Sequence, residues 1–390
     1  MKSREMYLYL SRLFTGFAGW LVFLAIALMV KDEYGSNKVP WVFLIQSLPP
    51  LLLSNWLASK TTESKMKNVF LISQFISIVA LLFLNKYFSI YGIYSFVLIN
   101  SLVQTMNNPI LVSMAMKSVG QDRWQAVHTR LTSIQSSTLA IAPIFGGWFS
   151  MSFGFASLIL LTALIGIFGL VFMFFAIPPL QDSVQTTDRT QSSFLQKWRP
   201  LIIQDKDLKT AIGLWSIFLF VGGLLNTIEF PVFEIQSLSH SKIGFMLGAW
   251  GFGNLLVFAT SYKKKAPLTA LQSCSLFALT LFLFIGTFSF TASLVSFFIG
   301  GFLNSYIAGI LRNKISSAIP TRVRPLDVWA AVNQRMSLIN IFCYGLGGYA
   351  LKFISVQYLG ALMLVFALLL IFALFKTNGS LWRKNKISGI

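Results

Sequence analysis

The sequence predicts an all-α membrane protein of twelve spanning helices, arranged as two pseudo-symmetric six-helix halves. Three observations predict it. Of 390 residues, 55% are hydrophobic and only 11% charged, with a mean hydropathy of +0.71; a soluble domain carries roughly 25% charged residues. Apolar runs of about 20 residues, the length a bilayer crossing needs, recur along the whole chain. Finally, the chain repeats itself. Residues 122–134 read DRWQAVHTRLTSI and residues 327–339 read DVWAAVNQRMSLI, with 6 of 13 positions identical at a constant offset of 205. Upstream, LINS at 98–101 is echoed by FLNS at 302–305, and downstream Gly146-Gly147 is echoed by Gly347-Gly348. An offset of just over half the chain means two tandem copies of one module.

The predicted spans fall at roughly 6–30, 40–58, 68–86, 90–116, 131–150, 155–179, 210–235, 242–261, 267–286, 290–311, 332–351 and 355–376. The first is too long for a signal-peptide core and lacks a small-x-small cleavage site, so it is read as a span. Between Leu131 and Leu180 there is no Asp, Glu, Lys or Arg, and the turn is predicted in the small-residue stretch 150–154. Period-two alternation, the mark of a spanning barrel, is absent from these runs. With the N-terminus inside, 26 of the 31 Lys and Arg fall on the cytoplasmic side; the other 5 are Lys31, Lys38, Lys86, Lys242 and Lys352. Basic residues hold loops in the cytoplasm, so both termini are predicted there, with an even number of spans in the inner membrane. The net charge of +19 is spread between apolar segments instead of forming the patch a nucleic-acid binder carries. The predicted units are a helical bundle over 1–180, a cytoplasmic linker over 181–209 and a second bundle over 210–390. The basic, aromatic second part of the linker is expected at the membrane surface. In each copy the repeated motif is read as a short charged cytoplasmic loop running into a span.

The fifth span ends Ala142-Pro143-Ile144-Phe145-Gly146-Gly147. A proline kinks the helix and paired glycines let a neighbouring backbone approach, so Pro143, Gly146 and Gly147 form a helix-packing motif. Two tandem six-helix halves, a motif recurring after the fourth span of each, and Pro-x-x-Gly-Gly in the fifth resemble the major facilitator superfamily. Within it the chain is similar to the drug-efflux and siderophore-exporter branch, where a Gly-Pro-x-x-Gly-Gly ending is associated with antiport. Ala142 replaces the first glycine of that pattern. After the second span that branch has Gly-x-Leu-Ala-Asp-Arg, whereas this chain has Asn55-Trp56-Leu57-Ala58-Ser59-Lys60, with Ser59 in place of the gate aspartate and Glu63 as a possible substitute.

Acidic residues are few enough to place one by one. Of 12, only Glu229 and Glu234 fall inside a predicted span, in EFPVFE of the seventh. A carboxylate in the bilayer costs about 2.5–3.5 kcal/mol on insertion scales and usually faces a cavity or relay, which makes both proton-coupling candidates; the other reading leaves them at the outer interface. Pro231 between them is expected to break the helix. Arg12 either snorkels to the cytoplasmic surface or faces the cavity as partner to an anion. Asn100, Gln104, Asn107 and Asn108 share one face of the fourth span, and Asn304 repeats Asn100. With Gln135, Asn226 and Asn340 they are cavity candidates, or else helix-to-helix hydrogen bonds. Asp122, Arg130, Asp327 and Arg335 are candidates for a cytoplasmic gate, with solvated charges the plainer reading.

No metal-ligand spacing, phosphate-cradling loop or nucleophile motif occurs, so no enzyme, cofactor or metal is expected. Cys274 and Cys343 lie within apolar segments. The expected activity is proton-driven export of a small amphipathic molecule of antibiotic or siderophore type by a monomer, with small solute, protons and bilayer as its partners. Uptake of an iron chelate or peptide by the same fold, a sensor role and a lipid flippase remain open.

Overall fold

The computed structural model describes residues 2–60, 66–119, 121–176, 206–261, 268–287, 289–319 and 325–377. Apart from a 3-10 turn at Ser36–Lys38, their regular structure is α-helical. The helices are α1 Lys2–Tyr34, α2 Val39–Lys60, α3 Met66–Lys86 and α4 Ile90–Val119. A single run, Gln121–Ala176, is broken at Gly154 (φ 79°, ψ 169°) into α5 (121–153) and α6 (155–176). Then follow α7 Lys206–Ile235, α8 His240–Ser261, α9 Ala270–Thr287, α10 Phe290–Ser317, α11 Pro325–Ala350 and α12 Val356–Thr377. Among the described residues, six runs are long and apolar enough by themselves to cross a membrane: Arg4–Tyr34, Met66–Lys86, Arg130–Ala176, Lys206–Ile235, Phe290–Ser317 and Val356–Lys376.

Contacts along α1 show that the chain reverses at Gly154. Gly16 meets Thr138, and Leu21 meets Gly146, so α5 runs parallel to α1. Thr15 meets Gly169, and Tyr7 meets Phe175, so α6 runs back. Only a residue without a side chain adopts that positive φ cheaply, and the predicted turn at 150–154 falls at this point.

Three expectations are corrected. The repeated motif is not a loop in either copy: residues 122–134 open α5 and residues 327–339 lie in α11. Its apolar positions recur at helical spacing, and Val127, Leu131, Val332 and Ile339 are buried. Asp122 and Asp327 fall in the first turns of their helices. Secondly, α7 begins at Lys206, so the last residues assigned to the linker are helical; the rest of the linker lies outside the described residues. Thirdly, α7 runs on through Pro231 to Ile235. The proline forfeits one backbone hydrogen bond, yet dense packing on both sides of it, with Phe230 and Phe233 fully buried, holds the helix together.

Helices α1 to α6 pack on one another and α7 to α12 on one another, while α5–α8 and α2–α11 are the main contacts between the two sets. These two seams are each other's counterparts under the repeat. In α5, Gly146 lies against Leu21 of α1 and Gly147 against His240 of α8; in α11, Gly347 lies against Thr227 of α7 and Gly348 against Pro40 and Trp41 of α2. The Asn-Ser echo has a structural counterpart too. Ser101 of α4 donates to the Gln46 carbonyl of α2, and Ser305 of α10 donates to Asn254 Oδ1 of α8 (2.6 Å).

Candidate functional site

The α5–α8 seam is a small-residue contact. Gly244, Gly248 and Gly251 of α8 lie along Ala140, Pro143, Ile144 and Gly147 of α5. A Cβ on Gly244 would sit 2.3 Å from the Pro143 carbonyl oxygen, and one on Gly147 2.4 Å from the His240 carbonyl oxygen. Pro143 leaves the Leu139 carbonyl without its helical donor, and Gly251 packs against that same turn.

Polar side chains close the two sets of helices together where α1, α5, α7 and α11 finish. His240 Nε2 donates to Asp32 Oδ2 at 2.6 Å, its Nδ1 lies 3.4 Å from Ser150 Oγ, and its ring packs at a tilt against Phe155, 5.2 Å between centres. One residue of α8 is thus held by α1, α5 and α6 at once. Beside it, Ser36 donates to the Glu234 carboxylate. Sequence reasoning missed Asp32, Ser36 and His240. Pairs separated by about 200 residues leave no spacing signal, although Asp32 and His240 both stand at helix ends, where polar side chains meet.

One turn and a half inward from Glu234 lies Glu229, 5% exposed. No hydrogen bond or ion pair reaches it among the described residues; the Tyr344 phenol of α11 lies within electrostatic range. Asn226 Nδ2 donates to Tyr344 Oη at 3.1 Å. Phe43 of α2 packs against both Tyr344 (5.6 Å between ring centres) and Phe230 (6.4 Å), and stacks on Phe23 of α1 at 5.3 Å. Glu229, Asn226 and Tyr344 therefore form a polar cluster on α7 and α11, walled by an aromatic stack from the other six helices. Asn340 is half-buried opposite Gly223 of α7.

The row of amides on α4 is differently disposed. Asn100 Oδ1 accepts from Ser77 (2.8 Å), and Asn107 Oδ1 accepts from Ser73 (2.8 Å) while its Nδ2 donates to Gln74 (3.3 Å). Both turn to α3 and join helix to helix, the second of the two readings open to them. The α3 serines share their face of the pair, and a buried amide takes the nearest hydroxyl. Gln104 and Asn304 are half-buried, and the side chain of Asn108 lies outside those described. Arg12 Nη2 donates to Gln135 Oε1, bringing together two candidates 123 residues apart. Arg130 and Arg335 are exposed; the side chains of Asp122 and Asp327, and residues 61–65 with Glu63, lie outside the described residues. No cluster of metal-binding side chains occurs among the described residues.

A sequence model described as Major Facilitator Superfamily matches residues 8–348. The chain belongs to this superfamily. It is therefore a multi-pass membrane protein and a secondary transporter of a small solute, not an enzyme. Two solved superfamily folds align along nearly its whole length. A crystal structure of the nucleoside transporter NupG, a point mutant, superposes with a TM-score of 0.67 at 14% identity, covering 96% of this chain and 99% of that one. An in meso crystal structure of the POT family transporter PepTSo superposes with a TM-score of 0.70 at 12% identity, covering 99% of each. At these identities the likeness is one of fold. No curated protein sequence matches the chain.

Proposed function

We propose that this transporter exports a small amphipathic organic molecule, of antibiotic or siderophore type, in exchange for protons. Two six-helix halves, 1–180 and 210–390, rock about the α5–α8 and α2–α11 seams, with both termini in the cytoplasm of a bacterial cell. In the described arrangement the outer end is closed by the Asp32–His240 and Ser36–Glu234 contacts. The observation that carries proton coupling is Glu229: a buried carboxylate in a span, at the junction of the halves, without an ion-pair partner among the described residues. A carboxylate in that setting is stable when protonated and must find water or a partner when ionised, so its proton occupancy follows its exposure as the halves move.

The test is transport by the purified protein in proteoliposomes, with and without an imposed pH gradient. Glu229→Gln is expected to abolish gradient-driven net transport while keeping substrate binding and exchange. Glu234→Gln, whose carboxylate accepts from Ser36 near the end of α7, is expected to slow transport less. Gradient-driven transport by Glu229→Gln at the wild-type rate would remove proton coupling through this residue. The sidedness of accumulation in the same assay separates export from uptake.

A further inference from the structure

We propose that Arg12, held in place by Gln135, receives the charged group of the transported molecule, and that this molecule is an organic anion bearing a carboxylate, phosphate or similar oxyacid. The inference deepens the proposed transport reading by naming the charge of its substrate.

The position of Arg12 is fixed laterally. Leu8, Arg12 and Gly16 form one row of α1 that faces α5: Leu8 packs in a buried cluster with Val127 and Leu131, and a Cβ on Gly16 would sit 2.9 Å from Thr138 Oγ1. Between them the Arg12 guanidinium bonds to Gln135, which lies five residues inside the span that begins at Arg130. A side chain snorkelling to the surface would point along α1 toward its N-terminus, not across to α5. Gln135 is exposed, and that exposure is not to lipid. Ile141 and Trp148, seven residues apart and both exposed, mark the lipid face of α5. Six residues from Ile141 is about 240° round the helix, which turns Gln135 toward α1 and away from that face.

Among the described residues no carboxylate pairs with Arg12. The sequences of α2, α3 and α4, and residues 123–176, contain no Asp or Glu. On α1 the nearest acid is Glu5, two turns toward the N-terminus, and the next is Asp32 at the far end. Asp122 precedes Gln135 by 13 residues, about 20 Å along the helix axis. Glu229 lies level with Phe43 and Phe23, eleven residues and about 16 Å beyond Arg12 along α1. A cation inside a membrane protein is costly unless an anion meets it, and Gln135 offers only a neutral oxygen. A guanidinium so held presents its remaining donors as a planar fork that matches an oxyacid. The 26 basic residues assigned to the cytoplasmic side would raise the local concentration of anions at that mouth.

The experiment is calorimetric titration of the purified full chain with three probes of one shape: 1-naphthoate, 1-naphthylmethanol and 1-naphthylmethylamine. Naphthoate is expected to bind at least about tenfold more tightly than the alcohol, the effect of one charge-assisted hydrogen bond, and the amine more weakly than either. Arg12→Gln should level naphthoate with the alcohol, Arg12→Lys should keep a reduced preference, and Gln135→Ala should weaken naphthoate several-fold with the alcohol unchanged. The Lys variant guards against a folding defect in the Gln variant. If naphthoate binds no better than the alcohol or amine, or not at all, or if its preference survives Arg12→Gln, the assignment falls. Naphthoate preference without gradient-driven transport would sink proton exchange and leave this site standing; gradient-driven transport by a protein lacking the preference would do the reverse.

Discussion

Tyr344 joins the chemistry of α7 to the aromatic stack of the opposite half. Its hydroxyl accepts from Asn226, and its ring meets Phe43 edge-on. The phenylalanine variant keeps the ring contact and removes the hydroxyl, leaving the Asn226 amide and Glu229 without that neighbour. A lost neutral hydrogen bond is worth about 1 kcal/mol, or roughly a fivefold change in a rate or affinity. Tyr344→Phe should therefore slow gradient-driven transport about fivefold with expression and helix content unchanged, measured beside Glu229→Gln in the same vesicles. Wild-type rates would place Tyr344 in packing alone.

Among the helices, α5 and α8 make the seam about which the proposed rocking would turn, and its closeness depends on missing side chains. Adding a methyl at Gly147 or Gly244 meets backbone oxygen at 2.4 and 2.3 Å, so backbone has to shift. At Gly222 the same methyl meets nothing within 4 Å. Gly147→Ala and Gly244→Ala should each lower the thermal unfolding midpoint and impair transport, whereas Gly222→Ala should leave both near wild type, helped slightly by alanine's better helix propensity. Equal effects at all three positions would show that the seam tolerates separation. The repeated motif belongs at this scale as well. As the opening turns of α5 and α11 it extends those helices beyond the apolar span, and its identical Trp, Val, Arg and Ile recur at spacings that fit a helix face.

For the whole molecule the decisive contacts are few and lie at one end. Ser36 to Glu234 and Asp32 to His240 span the two sets of helices, and they have to part if this end, the outer one in the proposed topology, is to open. Joining Ser36→Cys to Glu234→Cys with a short, charged, membrane-impermeant bis-methanethiosulfonate, which links the two thiols through mixed disulfides, should stop transport, and reduction of those disulfides should restore it. Both native cysteines are buried and stay out of the reaction. The reagent must act from outside the cell, so the same experiment reads orientation: linkage obtained only when it is supplied from the cytoplasmic side would invert the predicted topology.

The sequence by itself determined that this chain lives in a membrane, that it is helical, and that it is built from two related halves. Hydropathy, length and repetition are properties of a single segment or of a comparison between segments, and they survive without any knowledge of contacts. Glu229 was legible for the same reason: a carboxylate inside an apolar run is conspicuous wherever the run packs. Tertiary structure decided everything that depends on direction around a helix axis or on distant partners. It turned Asn100 and Asn107 to the serines of α3, brought Gln135 to Arg12, set Gly147 against α8 and Gly146 against α1, and clamped His240 between Asp32, Ser150 and Phe155. In a membrane segment apolar all round, periodicity carries almost no phase, because lipid and protein interior are equally apolar. Which face a polar side chain takes is then settled by the nearest partner that can satisfy it, and that partner lies on another helix.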